Sequence, residues 1–485
     1  MSGYSYFNYD QMTLLKVEVH SDELELLQQV ADVYDWKTIQ TEVEPKFKEA
    51  AFDFRHQKPS DVCPHQDKPE KDLQETFPFL ATTAAADKVS NGNPKGAGRK
   101  GQDFLSYLKA FLLAPVLRAE QNCEAISGAI AANPAFYVAC GFTAPPAART
   151  LRDFDQIMCA HNLWDIVHQL TYEKNVEDKV IDETIENTLN IDNTHLLGYS
   201  TPGKYVKECR ECDLFDGCES VVSTDETADW YIKGKYKCYY AHQIGLSQLA
   251  ASGAPLGCVV LNGKQYEPDS LQPLLEDVME NHSELEIQKV NADGIFNSQA
   301  CRETVRSILG KEVELFASVN PRRKKDIEQP TRGIAQITKY GSVKCIAGHD
   351  MVFLSKDQNL DAYIFGCPVY NEEARGKLEH MRLEVPDKCA CEKKQECSPN
   401  AAMGRTYRVA RDMLSQIEWD NPQFSYHFKL VYALRTKIER LFGRMKGRFK
   451  MKHLYKRGVD NIRGHILKFM NLMHILASVT GTYGV

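Results

Sequence analysis

Apolar residues recur along the chain with two different spacings, and the change from one to the other divides it. Residues 21–40 carry them at helical intervals among many acids, and residues 104–180 repeat those intervals between prolines. A period near 3.6 residues is typical of helices that bury one face. The pattern therefore predicts an acidic helical segment over 1–54 and an all-helical domain over 104–180. Between them, residues 55–103 are rich in Pro, Gly and small residues, which predicts a linker.

After residue 185, short apolar runs bounded by turn residues replace the helical spacing. They predict strands at TLNIDNTHLLGYS, KYKCYYAHQI and PLGCVVLNG, followed by helix, strand, helix and strand as far as VELFASV. Three neighbouring strands followed by alternating units fit a mixed sheet with helices packed on it, over 181–320. Residues 321–410 interrupt this order and hold five cysteines. Over 411–485, FSYHFKLVYALRTKIERLFGRMKGRFK and GHILKFMNLMHILASV predict two helices, the second of which is apolar.

Charge is distributed unevenly, although the whole chain has a net charge of only −7. Residues 1–75 contain 16 acids and 8 bases, a net −8, whereas residues 435–468 contain 12 bases and 2 acids, a net +10. A basic block this dense usually faces a polyanion, and the alternative is a solvated basic face. The sequence contains no apolar run of about 18 residues and no secretory signal pattern. We therefore expect a cytoplasmic protein with no membrane partner.

One acid, Glu439, stands inside the basic block, in YALRTKIERLFGRMK. At about 100° per residue on a continuous helix, Tyr432, Arg435, Glu439 and Lys446 fall on one narrow stripe. Arg435 and Glu439 are four residues apart, and an ordinary surface ion pair is one interpretation. The other is that Glu439 helps to bind a divalent metal ion while the bases bind phosphates. A single carboxylate is rarely enough for Mg²⁺ or Mn²⁺, so the second interpretation needs further acids.

Two candidate acids stand at strand positions. Asp192 lies within an apolar strand, where an unpaired acid is costly, and Asp293 ends the strand KVNADG, although Asp-Gly is also a common turn. Asp225 and Asp229 compete with Asp192, but they lie in the turn-rich stretch STDETADWY. Three acids at the ends of neighbouring elements would make a two-metal site, which activates a water or a 3′-hydroxyl and stabilises the leaving oxygen of a phosphodiester.

The spacing Tyr-(2)-Arg-(3)-Glu-(6)-Lys in YALRTKIERLFGRMK is similar to the signature of bacterial insertion-sequence transposases with the DDE catalytic triad. VNADGIFNSQA and NIDNTHLLGYS resemble the segments that carry the second and first Asp of that group. Residues 104–180 resemble its helical DNA-binding domain. The resemblance covers roughly residues 99–320 and 405–480. It implies a ribonuclease-H-like catalytic domain formed by 181–320 and 411–485.

The resemblance also implies an activity: binding the terminal inverted repeats of an insertion sequence, cleaving the ends and joining their 3′-hydroxyls to target DNA. The triad carries over as Asp192, Asp293 and Glu439, which would hold two Mg²⁺ or Mn²⁺ ions. The DNA contacts carry over to the signature and the bases around it, namely Tyr432, Arg435, Lys446, Arg440, Arg444, Arg448 and Lys450. The implied partners are double-stranded DNA, at the element ends and the target, and a second copy of the chain in a homodimer. The implied location is the bacterial nucleoid.

Two alternatives to a transposase stay open. The first is a catalytically inactive, transposase-derived DNA-binding regulator, against which the intact triad and signature argue. The second is a metal-dependent nuclease that hydrolyses DNA without strand transfer. Sequence does not separate the second from a transposase, because strand transfer uses the same site.

The chain contains 15 cysteines, and an odd number without a signal pattern argues against a disulfide framework. Eight of them form two groups that predict structural zinc, with unligated thiols as the alternative. The first group is Cys209, Cys212 and Cys218, and the second is Cys345, Cys367, Cys389, Cys391 and Cys397, with His349 nearby. Three others, Cys123, Cys140 and Cys159, stand in apolar helical contexts and are predicted to be core residues.

Overall fold

The computed structural model describes residues 21–56, 103–199, 225, 227–232, 238–320, 325–331, 333–415 and 417–484. These residues form a mixed α/β structure in which helices accompany a mixed sheet. The chain divides into two compact units. The first comprises Met1–Asn187, Asn193–Leu285 and Ile438–Val485, and the second comprises Thr188–Asp192 and Glu286–Lys437. In the part of the chain that the structure describes, no helix has both the length and the apolar character to cross a membrane.

The first unit begins with helices at the positions that the apolar spacing predicted. They are α1 (Ser21–Val33), α2 (Trp36–His56), α3 (Phe104–Leu113), α4 (Cys123–Ala132), α5 (Pro134–Cys140), α6 (Ala148–Ala160) and α7 (Leu163–Glu177). Asn122 and Asn133 cap α4 and α5, because their side chains accept hydrogen bonds from free backbone N–H groups of the first turn. The predicted linker lies almost entirely outside the described residues.

The central sheet follows in the order that the sequence predicted, with one addition. Its elements are β1 (Thr188–Leu197), β2 (Asp229–Ile232), β3 (Cys238–Leu249), β4 (Pro255–Asn262), α8 (Leu271–Asn281), β5 (Lys289–Ala292), α9 (Gln299–Leu309) and β6 (Glu314–Ala317). The strand order is β2-β3-β1-β5-β6, and β4 also pairs with β3. Strands β1, β5 and β6 are parallel, whereas β2 and β4 run antiparallel to β3. Strand β2 was not predicted, since its four residues stand next to turn residues.

The segment predicted as a Cys-rich interruption contains regular structure in the second unit. Its elements are β7 (Ile327–Thr331), β8 (Ile334–Ile337), β9 (Val343–Cys345), β10 (Val352–Asp357), β11 (Ala362–Gly366), α10 (Glu372–His380), α11 (Lys394–Cys397) and β12 (Thr406–Ala410). The strands form two antiparallel sheets, β7-β8-β9 and β10-β11-β12, which contribute to one apolar cluster. Sequence analysis predicted no strands here, because short strands without long apolar runs give a weak signal.

The chain ends in α12 (Tyr426–Ala433), α13 (Thr436–Gly443), a π-helical turn (Arg444–Arg448) and α14 (Val459–Thr480). Helix α14 is the centre of the first unit: its residues from Ile462 to Ala477 are nearly all buried, and it packs against α6, α7 and β4. This confirms the prediction of an apolar core helix. Cys123, Cys140 and Cys159 are buried in the same unit, as predicted.

Candidate active site

The two candidate aspartates lie on neighbouring parts of the sheet in the second unit, Asp192 within β1 and Asp293 directly after the parallel strand β5. Strands β1 and β5 pair with a constant offset, from Thr188 beside Lys289 to Asn190 beside Asn291. The same offset, continued by two residues, places Asp192 beside Asp293. Because side chains alternate along a strand, both carboxylates leave the sheet on the face of the two asparagines. Sheet register thus pairs the two strand segments that lead to these acids, which are a hundred residues apart in the sequence.

The residue that follows strand β6, Ser318, brings a hydroxyl group beside these acids. The pairing of β6 with β5, Ala292 beside Ala317, places Ser318 next to Asp293. Residue 294 must be glycine here, since a Cβ atom on Gly294 would lie 2.9 Å from the Ser318 carbonyl oxygen. Asp293 also accepts a hydrogen bond from the Gly294 N–H and caps the short 3₁₀ turn that follows. The Asp-Gly pair therefore forms the turn that its sequence suggests while also ending the strand.

Two residues of the signature, Tyr432 on α12 and Arg435 just after it, contact Ser318 and Asp192. Arg435 Nη1 lies 3.3 Å from Asp192 Oδ2, and the side chains are only 16% and 18% exposed. The Tyr432 hydroxyl lies 3.1 Å from the Ser318 hydroxyl, and its ring stacks on Phe428 with centroids 5.2 Å apart. The Arg435 guanidinium carbon lies 5.6 Å from the centre of the Tyr432 ring. An ion pair this shielded is screened less by salt than an exposed pair.

The signature segment is not one continuous helix, so the single stripe inferred from 100° per residue is wrong. Helix α12 ends at Ala433, and Arg435 lies in the break before α13. The Arg435 N–H donates to the Tyr432 carbonyl at 3.0 Å, a tight turn rather than an α-helical bond. At Arg444 the backbone changes again, to the π-helical turn that contains Lys446. The four signature residues therefore occupy four backbone segments: α12, the break after it, α13 and the π-helical turn.

The last two signature residues belong to the first unit. Glu439 lies in the first turn of α13 with its side chain exposed. Lys446 donates a hydrogen bond to Thr194 on β1. Thr194 stands two residues beyond Asp192 in the same strand and so leaves it on the same face. After the π-helical turn, His453 forms a parallel bridge with Leu197, at the end of β1.

A family model described as "Transposase DDE domain" matches residues 189–473. The chain belongs to this DDE transposase family. Membership implies a DNA-cleaving enzyme with DNA as its partner. No curated protein sequence and no solved structure matches the chain. The matched residues contain the strands with Asp192 and Asp293 and the whole Tyr432–Lys446 signature of this transposase.

The competing acids of the transposase have other partners. Asp225 is buried, and it accepts hydrogen bonds from the Thr227 hydroxyl at 2.6 Å and lies 3.3 Å from His242 Nε2. Burial opposes its charged form, but these two contacts hold its pKa at about 2. Asp229 lies on β2 and accepts from its neighbour's N–H at 2.6 Å. Strand β2 pairs with β3 and does not adjoin β5, whereas Asp192 lies on the strand that pairs with β5.

The predicted DNA-binding bases of the transposase differ in exposure. Arg440 and Lys450 are exposed, and Arg448 is partly exposed. Arg444 instead donates a hydrogen bond to the Tyr483 carbonyl, and burial lowers its pKa. Its position suits a structural contact between the π-helical turn and the C-terminal end of the chain.

Among the residues that the structure describes, no three or more His, Cys, Asp or Glu side chains stand close enough to hold a metal ion. Carboxylate oxygens are the donors that Mg²⁺ prefers, so the chemistry of Asp192, Asp293 and Glu439 fits that ion. Asp192 also pairs with Arg435, at 3.3 Å.

Hydrogen bonds connect the segments that carry the second cysteine group. Cys367 follows β11, and its N–H donates to the Arg405 carbonyl at 3.1 Å. The Tyr370 hydroxyl donates to the Lys388 carbonyl at 2.8 Å, which ties this segment to the one with Cys389 and Cys391. Burial raises the pKa of the Cys345 thiol, and the nearby Cys367 and Cys391 raise it further. Cys209, Cys212 and Cys218 lie outside the described residues.

Sequence reasoning missed the polar residues beside the acids. Asn190, Asn291 and Ser318 adjoin Asp192 and Asp293, yet none was singled out. One feature of the sequence could have identified the asparagines: the pattern Asn-x-Asp occurs in both segments, as NID and NAD. An asparagine inside a buried strand is unfavourable unless it is hydrogen-bonded, so its repetition indicates a shared structural task.

Proposed function

We propose that this transposase binds the terminal inverted repeats of an insertion sequence, cleaves at their ends and joins the 3′-hydroxyls to target DNA. One observation carries the proposal: Asp192 in β1 and Asp293 after β5 each follow by two residues an asparagine of these paired strands, and Arg435 and Tyr432 contact Asp192 and Ser318 beside them. The strand order β4-β3-β1-β5-β6 supports the ribonuclease-H-like fold that the resemblance implies.

In this proposal the acids serve the chemistry and the bases hold the DNA. Asp192, Asp293 and Glu439 would hold two Mg²⁺ or Mn²⁺ ions, whose chemistry is to activate the attacking oxygen and stabilise the leaving one. Arg435 exchanges the Asp192 carboxylate for a phosphate when the element end binds. Further phosphates are held by Lys446, by the exposed Arg440 and Lys450 and by the partly exposed Arg448. From the resemblance we expect a homodimer on DNA in the bacterial nucleoid, and from the cysteine groups we expect structural zinc.

Cleavage and strand-transfer assays test this function. The substrate is a labelled duplex that carries the inverted repeat flanking the gene, with supercoiled plasmid as target. Asp293→Asn and Glu439→Gln should abolish cleavage in Mg²⁺ while end binding persists, because carboxylates do not contact the phosphates directly. Asp192→Asn should behave in the same way, whereas Asp229→Asn is the control and should cleave normally.

Each result separates one interpretation from another. Normal cleavage by Asp293→Asn or Glu439→Gln would show that the triad assignment is wrong. Activity retained in Asp192→Asn but lost in Asp225→Asn or Asp229→Asn would move the first acid. Cleavage without any joined product would favour the nuclease, and DNA binding without cleavage by the wild type would favour the inactive regulator.

A further inference from the structure

Two asparagines are completely buried side by side on β1 and β5. Asn190 and Asn291 are register partners, and Asn291 Nδ2 donates to Asn190 Oδ1 at 3.0 Å. Each stands two residues before a candidate catalytic acid. Asparagine is depleted in strands, and burying an amide is unfavourable unless it is hydrogen-bonded. Their neighbours Val290 and Ala292 are apolar, as ordinary core positions are. The pair therefore requires a specific explanation.

Both side-chain amides also donate a hydrogen bond to a backbone carbonyl near the end of α12. Asn291 Nδ2 also donates to the Val431 carbonyl at 2.9 Å, and Asn190 Nδ2 donates to the Leu434 carbonyl at 3.0 Å. The last carbonyls of an α-helix have no partner within it. These two also accept turn-type bonds, from the Leu434 N–H and the Lys437 N–H, both at 3.1 Å. Each of these two carbonyls at the helix break therefore accepts a hydrogen bond from an asparagine as well as its turn-type bond.

The break held in this way is where Arg435 lies. Tyr432 is the residue after Val431, and Arg435 is the residue after Leu434, so each anchored carbonyl adjoins a signature residue. The turn bonds alone keep the chain folded locally but do not fix the break relative to the strands. The two asparagines connect it to β1 and β5, in addition to the contacts of Arg435 with Asp192 and of Tyr432 with Ser318.

We propose that Asn190 and Asn291 are positioning residues for DNA cleavage: they hold the break after α12 against β1 and β5, and so set the place of Arg435 and the start of α13. This inference rests on the proposed function. The pair touches neither DNA nor a reacting atom. Its contribution is geometric, and small displacements of a catalytic group reduce rates strongly.

The experiment compares Asn291→Ala with a matched asparagine elsewhere. Asn175 is equally buried in the first unit, and its Nδ2 also donates to two carbonyls, those of Thr171 at 2.8 Å and His474 at 3.0 Å. In both residues Oδ1 is buried with no hydrogen-bond partner among the described residues. Single-turnover cleavage is measured at saturating DNA and below the melting temperature of each variant, together with DNA affinity.

We expect Asn291→Ala to slow cleavage by about a hundredfold with little change in DNA affinity. Asn175→Ala should lower the melting temperature similarly and cleave at the wild-type rate. A double-mutant cycle adds the readout that a purely structural role does not move. In an Arg435→Lys background, Asn291→Ala should cost far less than it does alone, because the geometry that it protects is already lost.

Two outcomes overturn this inference alone: equal cleavage losses in Asn291→Ala and Asn175→Ala, or additive losses in the cycle. If Asn291→Ala does not fold, Asn190→Ala is measured in the same way, since it removes the bond to Leu434 and leaves that to Val431. A wild-type protein that cleaves no DNA overturns the proposed function instead.

Discussion

Arg435 places Nη1 3.3 Å from Asp192 Oδ2, across a sequence separation of 243 residues. The basic member of the signature is thus paired with the first candidate acid, in a partly shielded position. Any phosphate that Arg435 binds has to compete with this carboxylate. The pair also explains how an acid near the sheet interior is tolerated, because an opposite charge at this distance favours its ionised form.

Arg435→Ala should weaken binding of the element end and reduce its salt sensitivity. If Arg435 moves to a phosphate, its loss lowers the slope of log affinity against log salt by about one unit. Binding isotherms at several salt concentrations measure the slope. The control is Arg408→Ala, which breaks a more exposed pair of similar length, with Asp357 at 3.2 Å. An unchanged slope in Arg435→Ala would mean that the arginine stays with Asp192 when DNA binds.

Two substitutions of Tyr432 distinguish a role of its ring from a role of its hydroxyl group. We expect Tyr432→Phe to lose the bond to Ser318, at a cost of about 1 kcal/mol in unfolding free energy, and to retain cleavage. Tyr432→Ala should slow cleavage without changing the salt slope, because a ring that stacks on a displaced base holds no phosphate. Ser318→Ala is the control for the hydroxyl and should match Tyr432→Phe in stability. Equal slowing in Tyr432→Phe and Tyr432→Ala would assign the role to the hydroxyl.

The fold was predictable from sequence where one regular period persisted. Strand β1, which is ten residues long, and helix α14 were both predicted at the positions that the structure gives them. Strand β2 and the small sheets of the second unit were not, because three to six residues carry little periodic signal. The signature predicted which residues matter but not their backbone: the break at Arg435 depends on side-chain amides from two distant strands. Such tertiary contacts are invisible to local pattern.

The second cysteine group should hold zinc if its thiols serve a structural site. Purified, undenatured protein should then contain about two zinc ions per chain when both groups are occupied. Cys367→Ser and Cys391→Ser should each lower the zinc content measured by atomic absorption. Cys301→Ser is the control, since that thiol is buried on α9 outside both groups. A wild-type protein without zinc would remove this proposal and leave the catalytic one intact.

A buried charge cluster in the first unit predicts a dependence of stability on acid. Asp155 is fully buried between two ammonium groups: it accepts hydrogen bonds from Lys456 and, at 2.7 Å, from Lys468, and its other oxygen accepts from Trp164 Nε1 at 3.0 Å. Burial opposes the charged carboxylate, but the two lysines hold the pKa of Asp155 well below its usual range. The folded state therefore keeps the carboxylate charged at a pH where the unfolded chain is already protonated.

Asp155→Asn should lower the unfolding free energy at pH 7 by about 3–5 kcal/mol, since it leaves two buried ammonium groups without a counter-ion. Because the folded pKa is depressed, the stabilisation is present above the unfolded value of about 3.9 and is lost as the pH falls below it. Urea titrations from pH 7 to pH 3 should thus show the wild type approaching the variant below about pH 4. Asp178→Asn, which breaks the exposed pair with Lys174, should cost no more than about 1 kcal/mol. A constant gap between wild type and Asp155→Asn down to pH 3 would mean that the carboxylate's charge does not stabilise this core.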